Sequence, residues 1–172
     1  MEMARKIRSN FNSTEEILLF VKVFLLATIL PFLIKLLSIQ RLMKVLTPRD
    51  LIVYKNLNIE KSKDKIVKFT DYILGRNLWI YKTTCLKRSL VLYQLFRKSG
   101  IDVHVCFGVR YGDKLPGREA SKKLVGHAWL LHKGEIFLEK NIEETKTYKM
   151  TYCFPEINGK SGKENLKPIL GI

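Results

Sequence analysis

Hydrophobic and polar residues change their rhythm several times along the chain. From Ile17 to Ile39 the chain reads ILLFVKVFLLATILPFLIKLLSI, apolar almost throughout, with a charge-free run of twelve residues from Val23 to Ile34. A bilayer span needs about 20 such residues. Lys22 and Lys35 would each cost about 2.5–3.5 kcal/mol near the middle of a span. The stretch is therefore read as one kinked helix, or two short ones meeting near Pro31, packed on the body of the protein or on a partner. No small-residue cleavage site follows it, so a signal peptide is not expected. NSTEE supplies a start signal, with Asn12, Ser13 or Thr14 as cap and Glu15 and Glu16 in the first turn. Pro48 in LTPRD ends the basic amphipathic stretch IQRLMKVL. Ile66, Phe69, Tyr72 and Ile73 recur at helical spacing, and Gly75 is a stop.

RNLWIYKTT reads as an irregular approach to a second well-marked helix, CLKRSLVLYQLFRK, capped by Thr83 or Thr84 and followed by Gly100. On a wheel, Cys85, Leu86, Ser89, Leu90, Leu92, Tyr93 and Phe96 share one broad face, and Lys87, Gln94 and Lys98 form a polar stripe. That places Cys85 inward. IDVHVCFGVR then alternates as a strand, with Ile101, Val103, Val105, Phe107 and Val109 on one side and Asp102, His104, Cys106 and Arg110 on the other. YGDKLPGREASKK is a polar loop, and GHAWLLHKGEIFLE is a hairpin around Lys133-Gly134. From Asn141 onward the chain reads as a peripheral polar tail, with one further strand at YKMTYCF and turns at Asn158-Gly159 and Gly162.

Two hairpin registers fit. A three-residue loop, His132-Lys133-Gly134, pairs Leu131 with Glu135, Trp129 with Phe137 and His127 with Glu139. A two-residue loop sets Ala128 opposite Glu139 and turns the carboxylate to the other face. The first register is adopted, because glycine commonly takes the left-handed place of a three-residue loop.

Composition narrows the class. The chain has 172 residues, 47% of them hydrophobic, enough to bury one core. Residues 1–60 read as a helical apolar and basic N-terminal segment, and 61–172 as the main domain. The 31 Lys+Arg against 16 Asp+Glu give +15, which attracts an acidic peptide, a nucleic acid or an anionic membrane without choosing among them. Cys85, Cys106 and Cys153 are odd in number and without CxxC spacing, which argues against a disulfide framework or a zinc site and for a reducing cytoplasm. A glycine-rich phosphate loop, a HExxH helix and internal repeats are all missing from the sequence.

Chemistry enters through Cys85. A cysteine at a helix N-terminus meets unpaired N–H groups and the positive end of the dipole, which favour the thiolate. Buried cysteines are often inert, so the position alone does not make a nucleophile. Cysteine catalysis also needs a base and a group that orients it. Of the three histidines, His104 begins its strand at the far end from Cys85 and His132 abuts an exposed turn. His127 lies between Gly126 and Ala128, where space is left for another side chain or a substrate. In the adopted register Glu139 accepts its ring N–H. The Cys85 N–H is one oxyanion donor; Trp79, Tyr81 and Thr83 are weak candidates for the second.

With these residues in place, CLKRSLVLYQLFRKSGIDVHVCFGVR followed by GHAWLLHKGEIFLE resembles the leader peptidases of lasso-peptide biosynthesis, in the transglutaminase-like superfamily. The resemblance is close from Cys85 to Glu139. For residues 61–172 it implies a transglutaminase-like cysteine protease domain, with a papain-like or transglutaminase-like α+β fold in which Cys85 is the nucleophile and His127 the base. The third member in that family is an aspartate, and Glu139 occupies its position here. It further implies removal of a leader from a ribosomally made precursor peptide, followed by ring closure by an ATP-dependent, asparagine-synthetase-like cyclase. The residues before Cys85 do not read as a winged-helix recognition module, so a separate leader-recognition protein is expected. No cofactor, metal or nucleic acid is expected, and the segment from Ile17 to Ile39 is a place for contact with a partner protein or a membrane surface. Two alternatives stay open: an acyltransferase with the same three residues, and a basic, membrane-associated binding protein without catalysis.

Overall fold

The computed structural model describes residues 14–48, 59–75, 84–111 and 124–156. Helices α1 (Thr14–Leu36), α2 (Ile39–Leu46), α3 (Ile59–Leu74) and α4 (Cys85–Lys98) come first. Strands β1 (Val103–Tyr111), β2 (Leu124–His132) and β3 (Glu135–Phe137), the short helix α5 (Ile142–Lys146) and strand β4 (Lys149–Phe154) follow. The strands form one antiparallel sheet in the order β3-β2-β1-β4. The architecture is α+β, as expected. The starts at Glu15-Glu16, the end before Pro48 and the stop at Gly75 fall where the sequence placed them.

α1 runs as a single helix through Pro31, not as two. Val23, Ala27 and Leu30, spaced by four and three, bury one stripe of it in the same core as α3 and α4. Near its start the buried Glu16 takes an ion pair from Lys65 of α3 at 2.5 Å. The opposite face is apolar and open: Leu18, Val21, Leu25, Ile29, Phe32 and Leu36 are all exposed. By length and composition α1 is able to cross a membrane. Its buried stripe and the Glu16–Lys65 pair also join it to the protein body.

α4 is the axis of the fold. Val91 and Leu95 are buried along with Leu90, Leu92, Tyr93 and Phe96, so the helix is covered on more sides than the wheel predicts. The reason is tertiary: β1 and β2 pack on one flank while α1 and α3 cover another. Its ends are well defined. The Lys87 N–H donates to Thr84 Oγ1 at 3.2 Å, a cap that contributes about 0.5–2 kcal/mol. At the other end Gly100 is left-handed (φ 79°), with Gly100 N–H on Arg97 O and Ile101 N–H on Phe96 O, the paired bonds of a Schellman stop.

β1 alternates as predicted. Val103 and Val105 belong to the core under the helices, whereas Cys106 joins Trp129, Leu131 and Tyr148 in a smaller cluster. Two expectations are corrected here. Cys106 and Cys153 are register partners in β1 and β4, 4.1 Å apart at Cα, and form a disulfide, although odd number and spacing argued against one. Strand register, which residue spacing does not reveal, made them neighbours. The stretch after Asn141 is likewise not peripheral as far as residue 156: β4 pairs with β1, and Thr145 and Tyr148 are buried.

Candidate active site

Cys85 is the first residue of α4 and is exposed as a residue, with its sulfur partly covered. The wheel had pointed it inward. Continuous burial of α4 begins one turn later, at Ser89, so the first turn stands at the rim of the core. What the thiol meets there is the edge of β2. A hydrogen bond with His127 holds its pKa below the ordinary value of 9.0, backed by backbone hydrogen bonds from Ala128 and Leu86 and opposed by partial burial.

His127 lies in β2 opposite Gly108 of β1. Its pKa is raised from 6.5 to about 9, first by the hydrogen bond to Cys85 and next by Glu139, against the effect of burial. Nε2 lies 3.4 Å from Glu139 Oε2 and 3.4 Å from Thr145 Oγ1. The Thr145 hydroxyl donates its own proton to Asn141 O at 3.0 Å, so toward His127 it accepts. Both partners thus accept from Nε2–H, which leaves Nδ1 for the thiol. The ring is flanked by Trp129, nearly parallel at 5.9 Å, and by Tyr148 at 5.0 Å. Gly108 makes room for this packing, since a Cβ there would stand 2.7 Å from the Trp129 ring and 2.8 Å from Lys149 O.

Glu139 arrives by a route the hairpin pattern did not predict. His132 pairs with Glu135, so the loop has two residues, Lys133 and Gly134, both with positive φ (53° and 84°). This is the turn that best matches strand twist, and it overturns the three-residue register. Continued, the ladder would place Glu139 opposite Ala128. It stops instead: the last pair is Leu130 with Phe137, and Leu138 takes the left-handed conformation at φ 59°. That single reversal leads the chain off the ladder and delivers Glu139 to His127.

The stop also frees the edge of β2 at Ala128, and α4 occupies it. Ser89 Oγ donates to Ala128 O at 2.9 Å, while an Ala128 backbone hydrogen bond reaches the Cys85 sulfur. The structure therefore brings Cys85, His127 and Glu139 together. It places His104 and His132 elsewhere, with Nδ1–H donating to Pro155 O (2.9 Å) and to Asp102 O (2.7 Å) respectively. Trp79, Tyr81 and Thr83 lie outside the described residues. Trp129, two residues after His127 on the same strand face, was legible from alternation. Thr145 carried no such signal, and Tyr148 opens the stretch YKMTYCF predicted as a strand, observed as β4, without any sign that it would reach His127. No group of His, Cys, Asp and Glu suited to a metal occurs among the described residues.

A family model described as the transglutaminase-like superfamily matches residues 30–153, well over half of the chain. The chain belongs to the transglutaminase-like superfamily. Among curated proteins and among solved structures no match was found. The superfamily includes cysteine proteases and acyltransferases, and its matched span carries all three residues of the cluster.

Proposed function

We propose that this transglutaminase-like protein is a cysteine peptidase that removes the leader from a lasso-peptide precursor. The observation that carries the reading is the relay in which Cys85 contacts His127 and His127 contacts Glu139. The lowered thiol and the raised imidazole both favour the thiolate–imidazolium form of the pair, the form from which the proposed reaction starts. The Cys85 thiolate attacks the scissile carbonyl carbon, and the carbonyl electron pair moves to oxygen. The Cys85 N–H, which has no acceptor inside α4, faces that charge. Collapse breaks the C–N bond, and the departing amine takes the His127 proton. Water then attacks the thioester and gives a proton to His127, and the C–S bond breaks to restore the thiolate. The products are a leader carboxylate and a core peptide with a free α-amine.

A separate recognition protein presents the leader, and an ATP-dependent, asparagine-synthetase-like cyclase uses the freed amine. The +15 charge suits an acidic leader. The open face of α1 rests on an anionic membrane: Leu18, Leu25, Ile29 and Phe32 enter the interface while exposed Lys35, Arg41 and Lys44 meet the headgroups. In the test, cognate precursor is incubated with the recognition protein and the enzyme, and products are weighed by mass spectrometry. Cleavage with addition of one water, lost in a folded Cys85→Ala variant, is the expected result. Cleavage by that variant sinks the reading, and a product joined to an added amine favours the acyltransferase.

A further inference from the structure

The reversal at Leu138 is what carries Glu139 to His127, and a half-buried arginine reaches its carbonyl. Arg88 sits one turn after Cys85 on α4, with only 14% of its side chain exposed. Its Nε and Nη2 grip both oxygens of Asp71 on α3, at 2.7 and 3.3 Å. Its remaining arm, Nη1, donates to Leu138 O at 3.0 Å. The planar fork spends two arms on a carboxylate that fixes its plane and aims the third at a backbone carbonyl.

We infer that Arg88 is a positioning residue: it clamps the left-handed Leu138 to the nucleophile's own helix and thereby sets the contact between Glu139 and His127. The alternative course for the chain is continuation of the hairpin, which pairs Glu139 with Ala128. A non-glycine residue in the left-handed region persists only where its surroundings hold it. The Leu138 side chain packs against the core but has no polar group to bond its own backbone in that conformation, so the holding forces come from its surroundings, with Arg88 the one that reaches its carbonyl. Arg88 and its neighbour Ser89 divide the work: Ser89 holds β2 at Ala128 O, and Arg88 holds the segment that has left β3. Two consecutive side chains on α4 thus register the base and the acid against Cys85.

The inference rests on the proposed relay, yet it is testable without a substrate. In the full chain, Cys85 is alkylated with iodoacetamide across pH in the wild type and in the Arg88→Ala, Glu139→Gln and doubly substituted proteins. Loss of Glu139 weakens the imidazolium, so the thiolate forms at higher pH. The Arg88→Ala midpoint is expected to rise by about half to one unit, as Glu139→Gln does, with no further rise in the double variant. Arg88→Lys keeps a charge beside Asp71 but not the fork. It is expected to shift the midpoint in the same direction, and it serves should Arg88→Ala fail to fold. A wild-type profile in a folded Arg88 variant, or shifts that add in the double variant, overturns the inference. Precursor cleavage separates the two readings. An Arg88-dependent thiol in a protein that cleaves nothing removes the peptidase and keeps the clamp; cleavage with an Arg88-independent thiol removes the clamp alone.

Discussion

Replacing Glu139 by glutamine removes one charge and little volume from a site where both partners are mostly buried, 19% of the His127 side chain and 14% of the Glu139 side chain being exposed. His127 stands at about 9 against an ordinary 6.5. At 1.36 kcal/mol per unit, that rise is worth about 3 kcal/mol. The Cys85 contact is the larger cause, so Glu139 is assigned the smaller part, about 1 kcal/mol, or up to roughly tenfold in the population of the competent pair. Glu139→Gln should accordingly lower kcat for precursor cleavage up to about tenfold and move the alkaline limb of the pH profile down by up to about one unit. Glu139→Asp tests reach rather than charge. One methylene fewer withdraws the carboxylate by about 1.5 Å from an oxygen now at 3.4 Å from Nε2. Because Leu138 O is anchored by Arg88, the backbone does not follow, and a several-fold loss is expected although aspartate is the residue that the resemblance implies. The assay is initial rate by quantitative mass spectrometry from pH 5 to 10, with melting temperature to show that each variant is folded. A folded Glu139→Gln protein with the wild-type kcat and alkaline limb would refute the coupling.

The wild-type profile should be a bell: activity rises as Cys85 ionises below its ordinary 9.0, and falls as pH passes about 9 and His127 loses the proton it gives the leaving amine. A single rising limb would contradict the ion pair. Flotation with vesicles is expected to recover the protein with anionic phosphatidylglycerol membranes and not with phosphatidylcholine alone. Phe32→Glu with Leu25→Glu should abolish that recovery. Equal binding by the double variant, or a wild type that instead dimerises through α1, would show that something other than lipid covers this face.

How far the site could be read in advance depended on the range of the forces that make it. Cys85 was legible because a threonine cap, an uninterrupted helical run and Gly100 are local signals, each acting within a turn of its own residue. His127 stood out by its small neighbours on a strand whose alternation is also local. Glu139 was placed beside His127, where it lies, but through a register that does not exist. Its place depends on the left-handed Leu138, which no propensity of leucine favours, and on Arg88, fifty residues earlier in the chain. Thr145 escaped notice because its stretch is polar and short; Tyr148 opens the strand that YKMTYCF predicts, but only the pairing of β4 with β1 brings the two residues to His127.

The same division runs through the whole fold. Helix ends, strand alternation, the apolar character of α1 and the candidate thiol follow from neighbours in the chain, so the sequence by itself determined them. The hairpin turn, the Cys106–Cys153 pairing, the exposed setting of Cys85 and the approach of Glu139 were decided by tertiary structure. Each depends on which backbone edge or side chain, distant in sequence, satisfies a hydrogen bond or covers a surface. In the relay the deciding event is small: β3 stops at Phe137, and the hydrogen bonds it would have made to Ala128 pass to Ser89 and Cys85.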